Sequence, residues 1–245
     1  MKSLIKVMFQ AGLIGSVIVW SGCAVRSANV KSSVVDYLYP DQEAAQAAKT
    51  PKLTFPMKMG IAFVPESGAT SSNIPGGQII PKNFLTEQQR IDLMETIGEH
   101  MKKHSIIGHV VIIPSSNLKS KGGFVNLNQI RALYGIDQIL LLSYDQSQFT
   151  DEGAATATYW TGIGAYLVAG EKNRTHTILE ANVFDIESQK MLFRSVGSGT
   201  VDSSATLVNL SEQTRADSAE GFKKASEDLI LNLDKEIVTF KNTLQ

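Results

Sequence analysis

Apolar residues recur along this chain in two rhythms, one of period two and one close to 3.6. From Met57 to Val64 apolar residues fall on both faces, Met59, Ile61 and Phe63 alternating with Gly60, Ala62 and Val64. That pattern predicts a central, covered strand, which Pro65 stops. Ser67 to Asn83 reads as a loop, with Pro75-Gly76-Gly77 as its turn chemistry. Thr86-Glu87-Gln88-Gln89 has the form of a capping box. Ile91, Met94, Ile97 and Met101 then share one helical face to about Lys103. His109 to Ile113 predicts a short strand. A short helix starting at Asn126 or Asn128 carries Ile130 and Leu133 and ends at Gly135 as a left-handed cap. Asp137 to Tyr144 is again apolar on both faces. Thr175 to Ile186 alternates, with Leu179, Ala181 and Val183 on one side and Glu180 and Asn182 on the other. Glu187-Ser188-Gln189 turns it into Lys190 to Val196, with Met191 and Phe193, predicting a hairpin. Gly197-Ser198-Gly199 and the Ser/Thr-rich stretch to Ser211 read as a loop. Phe222, Ala225, Leu229, Leu233, Ile237 and Phe240 then predict a last helix from about Asp217.

This order, β-α-β-α-β-β-β-α over residues 57–245, predicts an α/β fold: a single domain with a mixed sheet. Leu179, Val183 and Phe193 are its expected hairpin core, covered by Phe222, Leu229 and Leu233. Two stretches fit no element. Ser33-Val34-Val35-Asp36-Tyr37-Leu38-Tyr39-Pro40 is apolar and aromatic inside a Ser-, Ala- and Pro-rich region. Docking of Val35, Leu38 and Tyr39 on the domain is the preferred account, a partner-binding segment the other. Ala154 to Val168 has no charge and mixes glycines with Tyr159, Trp160 and Tyr166. It reads equally as packed core or as an exposed loop that contacts membrane or a partner.

The amino-terminal pattern changes the picture. Lys2 and Lys6 precede an uncharged run from Val7 to Trp20, and Ser21-Gly22 leads to Cys23, the single cysteine. A positive start, a short apolar core and small residues before a cut site make a secretory signal. The run is shorter than the roughly 20 apolar residues that a span needs. With its cysteine, the stretch resembles a bacterial lipoprotein signal, which implies cleavage before Cys23, a diacylglyceryl thioether on its sulfur and an acylated amino terminus. Trp20 stands where that pattern prefers a smaller aliphatic residue. The expected organisation is 1–22 signal peptide, 23–56 lipidated cysteine and tether, and 57–245 periplasmic domain. Ala24, in place of Asp, implies the outer membrane by resemblance to lipoprotein sorting signals. Multiple acyl chains would make the anchor effectively permanent.

Composition is consistent with this. A hydrophobic share of 43% and a charged share of 19% are those of a chain with a real core. A net charge of −1 offers no basic field for nucleic acid. One cysteine excludes an intrachain disulfide, and lipidation would remove a thiol that is a liability in an oxidising compartment.

Leu133 to Leu140, with its helix end, glycine and strand, resembles an element of curli-secretion and penicillin-binding-protein-activator type envelope lipoproteins. So do Val183-Phe184-Asp185-Ile186 and Lys190-Met191-Leu192-Phe193-Arg194. Over most of the mature chain the sequence resembles the rhombotarget lipoproteins. That likeness rests on Ser33 to Pro40, on Tyr159 to Tyr166 with Gly170-Glu171-Lys172-Asn173, and on Phe184-Asp185-Ile186 to Phe193-Arg194. The family name implies rhomboid-type processing at a Gly-Gly signal with an apolar tail. Glu236 to Gln245 carries neither, so the resemblance does not extend to that processing here. The resemblance implies place and fold rather than activity.

Catalytic motifs do not emerge. His100 and His104 have metal-ligand spacing, but no Glu stands between them and both suit the last turn of a helix. Gly197-Ser198-Gly199 lacks the nucleophile-elbow spacing. Gly162-x-Gly164 lacks a third glycine. Lys119 and Lys121 beside Gly122 and Gly123 stand in the wrong order for a P-loop. Asp185 is expected to tie its turn. The expectation is an outer-membrane-anchored periplasmic lipoprotein that binds an envelope protein partner, without catalytic residues, metal or cofactor. Cys23 is its lipidation site, and Tyr159, Trp160 and Tyr166 are its candidate contacts. An envelope hydrolase and an oligomeric part of a secretion apparatus are the alternatives.

Overall fold

A computed structural model describes residues 25–40, 50–66, 70–71, 85–152, 171–205 and 209–244. The strands are β1 (Val25–Lys31), β2 (Met57–Phe63), β3 (Thr70–Ser71), β4 (Ile107–Ile112), β5 (Gln138–Glu152), β6 (Glu171–Asp185) and β7 (Lys190–Ala205). The helices are α1 (Val34–Leu38), α2 (Glu87–Met101), α3 (Gly123–Tyr134) and α4 (Leu210–Thr243). From β2 to α4 the major elements follow the expected β-α-β-α-β-β-β-α order, in one mixed sheet.

Strand β5 is the axis of that sheet. One of its edges pairs with β6 along its whole length, and β7 follows β6, all antiparallel. The other edge is divided. Parallel β2, flanked by parallel β4, takes Gln138 to Leu142, and antiparallel β1 takes Asp145 to Asp151. Ser32 fills the handover. Its N–H donates to the Tyr144 carbonyl at 2.8 Å, and its Oγ accepts from the Tyr144 N–H at 3.0 Å.

Each face has its own core. On one, Met59, Ile61, Phe63, Leu140, Leu142, Leu179, Val183 and Phe193 pack under α2 and α4. The expected covering residues Phe222, Leu229 and Leu233 are buried there. On the other, Ala62, Val64, Ile139, Leu141 and Phe184 pack under α1 and α3. The capping box forms, with Thr86 Oγ1 accepting from the Gln89 N–H and Gln89 Oε1 accepting from the Thr86 N–H. Gly135 closes α3 at φ 65°. Asp185 ties its turn, accepting from the Ser188 N–H and from Gln138 Nε2.

Several expectations are corrected. Residues 25–38, expected within a tether, are fold: β1 adds a strand and α1 docks on α3. Of the expected docking residues, Leu38 is buried and Tyr39 packs edge-on against Phe124, joined by Val34 and Tyr37, whereas Val35 is 66% exposed. The Tyr37 hydroxyl donates to buried Asn126, whose oxygen also accepts from the Lys119 N–H. Asn126 is therefore a buried bridge rather than a cap, and α3 begins at Gly123, with φ 57°, beneath the Leu38 carbonyl. Leu133 points outward.

The expected loop from Gly197 continues as β7 to Ala205. Its glycines are there because α4 lies almost on the strand. A Cβ on Gly197 would stand 2.2 Å from the Ala225 carbonyl oxygen, and one on Gly199 2.5 Å from that of Gly221. A bulge opposite Val183/Phe184 also shifts the register, so that Phe193 is buried and Met191 is exposed.

Helix α4 begins at Leu210, earlier than its apolar spacing indicates, because its first turns lie on a polar layer. Gln146 donates to the Ser218 carbonyl at 3.1 Å and Gln148 to that of Thr214 at 2.9 Å. Further along, α4 reaches over the outer edge of β7. Lys224 Nζ donates to the Thr200 carbonyl, Asp228 accepts from the Ser198 N–H, and Asn232 donates to the Val196 carbonyl. Side chains four residues apart thus occupy backbone groups that a further strand would need.

Candidate functional site

The sheet outruns the helices on one face. On the α3 side, burial by α1 and α3 reaches Leu141 and Phe184, while β5, β6 and β7 continue beyond them. There Phe149 and Ile178 are 42% and 43% exposed. Register sets their neighbours: Phe149 lies opposite Arg174 and Arg174 opposite Asp202, while His176 lies opposite Thr200. Arg174 Nε donates to Asp202 at 2.6 Å, with both side chains about 60% exposed. The His176 ring meets Phe149 edge-on, centroids 6.4 Å apart, and its Nδ1 lies 3.1 Å from Thr200 Oγ1. Lys172, Ser203 and Ser204 complete an open depression of about 630 Å³. The Phe149 ring, framed by both signs of charge and by hydroxyls, provides the chemistry of a protein contact surface.

Two further polar clusters are structural. Glu66, Arg90 and Tyr144 meet where β1 and β2 share β5. Arg90 pairs with Glu66, and the Tyr144 hydroxyl donates to the same carboxylate at 2.9 Å. The Arg90 guanidinium lies 5.8 Å from the ring centroids of both Phe63 and Tyr144. Burial, followed by the Glu66 charge, raises the Tyr144 phenol above its ordinary range. Burial alone raises that of Tyr37. Both raised phenols add stability that is complete below the unfolded-state value near 10 and is lost as pH rises beyond it. Tyr144→Phe should cost about 1.5–3 kcal/mol, the range for a hydrogen bond to a charged group. It should also flatten the alkaline fall in stability, as read by urea unfolding from pH 8 to 11.

His100 and His104 both turn to Asp234 on α4, at 3.3 and 3.1 Å. Their spacing thus joins two helices, and no group of three or more His, Cys, Asp or Glu among the described residues could hold a metal ion. Lys119 and Lys121 flank the turn before α3, where the Lys119 N–H is taken by Asn126.

Cys23, Tyr159, Trp160 and Tyr166 lie outside the described residues, as do the signal stretch and Gly162-x-Gly164. The exposed face was not among the sequence candidates. Its only sequence signal is Phe149, a lone aromatic between Gln148 and Thr150. Among the described residues no helix is long and apolar enough to cross a membrane. Compared with family models, curated proteins and solved structures, the chain matches none.

Proposed function

We propose that this protein is an outer-membrane lipoprotein of the rhombotarget kind, anchored through Cys23 on the periplasmic side. It works by binding an envelope protein partner, not by catalysis. The exposed face of β5–β7 is the observation that carries the binding reading: Phe149 stands uncovered beside the Arg174–Asp202 pair, and Ile178 is uncovered further along the same face, between Asp145 and Ser198. Aromatic and Arg side chains are the types over-represented among residues that dominate binding energy. Tyr159, Trp160 and Tyr166 are further candidate contacts in this reading, on the strength of their residue types alone. The polar clusters elsewhere are engaged in holding elements together, which favours binding over chemistry.

The test combines two measurements on protein from intact envelopes. The mature chain should begin at an acylated Cys23 by mass spectrometry, and Cys23→Ser should prevent that modification. In vivo crosslinking should capture one defined partner with the wild type. The double variant F149S/I178S should lose that partner while its melting temperature stays within a few degrees, since exposed substitutions cost about 0.5 kcal/mol or less each. An unmodified Cys23, or the same capture by the double variant, would overturn the corresponding half of the reading.

A further inference from the structure

Given a lipid on Cys23, the register of β1 fixes which end of the sheet meets the bilayer. Val25 pairs with Asp151, the next pair outward on β5 and β6 is Glu152 with Glu171, and Glu171 pairs with Ala205 of β7. The start of β1 and the far ends of the long hairpins therefore coincide. Only Ala24 separates Cys23 from Val25, so two Cα steps, about 8 Å at most, connect the acylated residue to the sheet. The headgroup layer is itself about 5–8 Å thick on each side. Such a link has no room to hold the domain away from the lipid.

We propose that the sheet end marked by Val25, Glu152, Glu171 and Ala205 rests against the lipid surface, with β5 rising from it. The proposal rests on the lipoprotein reading above and adds an orientation and a second ligand, the bilayer itself. The opposite end, where α3 hands over to β5, stands about 45 Å away, at about 3.3 Å for each residue of β5. The Phe149 depression then stands upright beside the membrane, open to the side.

The experiment uses full-length protein purified from membranes, with a fluorescent label on an introduced cysteine, the Cys23 thiol being consumed by its thioether. Ser204 is exposed at the proposed membrane end and Leu133 is exposed near the other. S204C and L133C are each labelled and placed in phosphatidylethanolamine–phosphatidylglycerol vesicles and in phosphatidylcholine vesicles, with a headgroup-nitroxide lipid as quencher. Lipidation is checked by mass on the same samples. The proposal expects quenching several-fold stronger at position 204 than at 133, in both lipid mixtures. Equal or reversed quenching on lipidated protein would overturn the orientation and leave the anchor standing. Unmodified Cys23 would overturn both.

Discussion

Gly197→Ala should unseat α4 and lower stability by about 3 kcal/mol or more, at or above the top of the usual range for overpacking. The reason lies in which atoms the new methyl meets. It would stand 2.2 Å from the Ala225 carbonyl oxygen, 2.3 Å from the Leu229 nitrogen and 2.6 Å from the Leu229 Cα. These are backbone atoms inside a helix, and no rotamer change moves them aside. The helix must lift, and its lifting loosens Leu229, Leu233 and Ile237 together. A loss of that size should lower Tm by roughly 10 °C in a chain of this length, read by circular dichroism. A Tm within a degree of wild type would mean that α4 does not lie this close to β7.

Leu229→Ala should cost about 2–5 kcal/mol, the range for truncating a buried leucine. Leu229 is fully buried and belongs to the core that holds Leu179, Val183, Phe193 and Phe222. Urea unfolding should show a lower midpoint with the slope retained. Neighbouring substitutions couple, and the collision at Gly197 is with the backbone of Leu229 itself. Because lifting α4 already loosens Leu229, the double variant should lose less than the sum of the two effects. A double variant that loses the full sum would show that Gly197→Ala leaves Leu229 seated.

The parts of the fold held by apolar burial were legible in the sequence. Met57 to Val64, the Thr86 capping box, Gly135 and the Leu179–Val183 alternation all stand where their patterns place them. The unread parts are held by other means. The second half of β7 presents Ser195, Gly197 and Gly199 to α4, a face made for close approach that has the hydropathy of a loop. Gln146 and Gln148 replace apolar contacts beneath the first turns of α4. Strand β1, Val-Arg-Ser-Ala-Asn-Val-Lys, takes its place from the open edge that β2 leaves along β5. The exposed face was missed for the same reason. A binding surface on a polar sheet has no periodic signature, and Phe149, Arg174 and Asp202 become neighbours only through register.

The divided edge of β5 also has a mechanical meaning. The chain enters β1 at Val25, at the tip of the sheet, and runs inward to Lys31. Any force on the amino-terminal side pulls along the strand axis, away from the domain. The hydrogen bonds between β1 and β5 lie across that direction, so the pairs from Val25–Asp151 to Lys31–Asp145 are strained in shear together. Had the chain entered beside Asp145, the same force would open them one at a time, like a zip. Seven residues laid in this sense form a grip whose strength comes from simultaneous loading, and the handover at Ser32 and Tyr144 is where that load passes into the rest of the sheet.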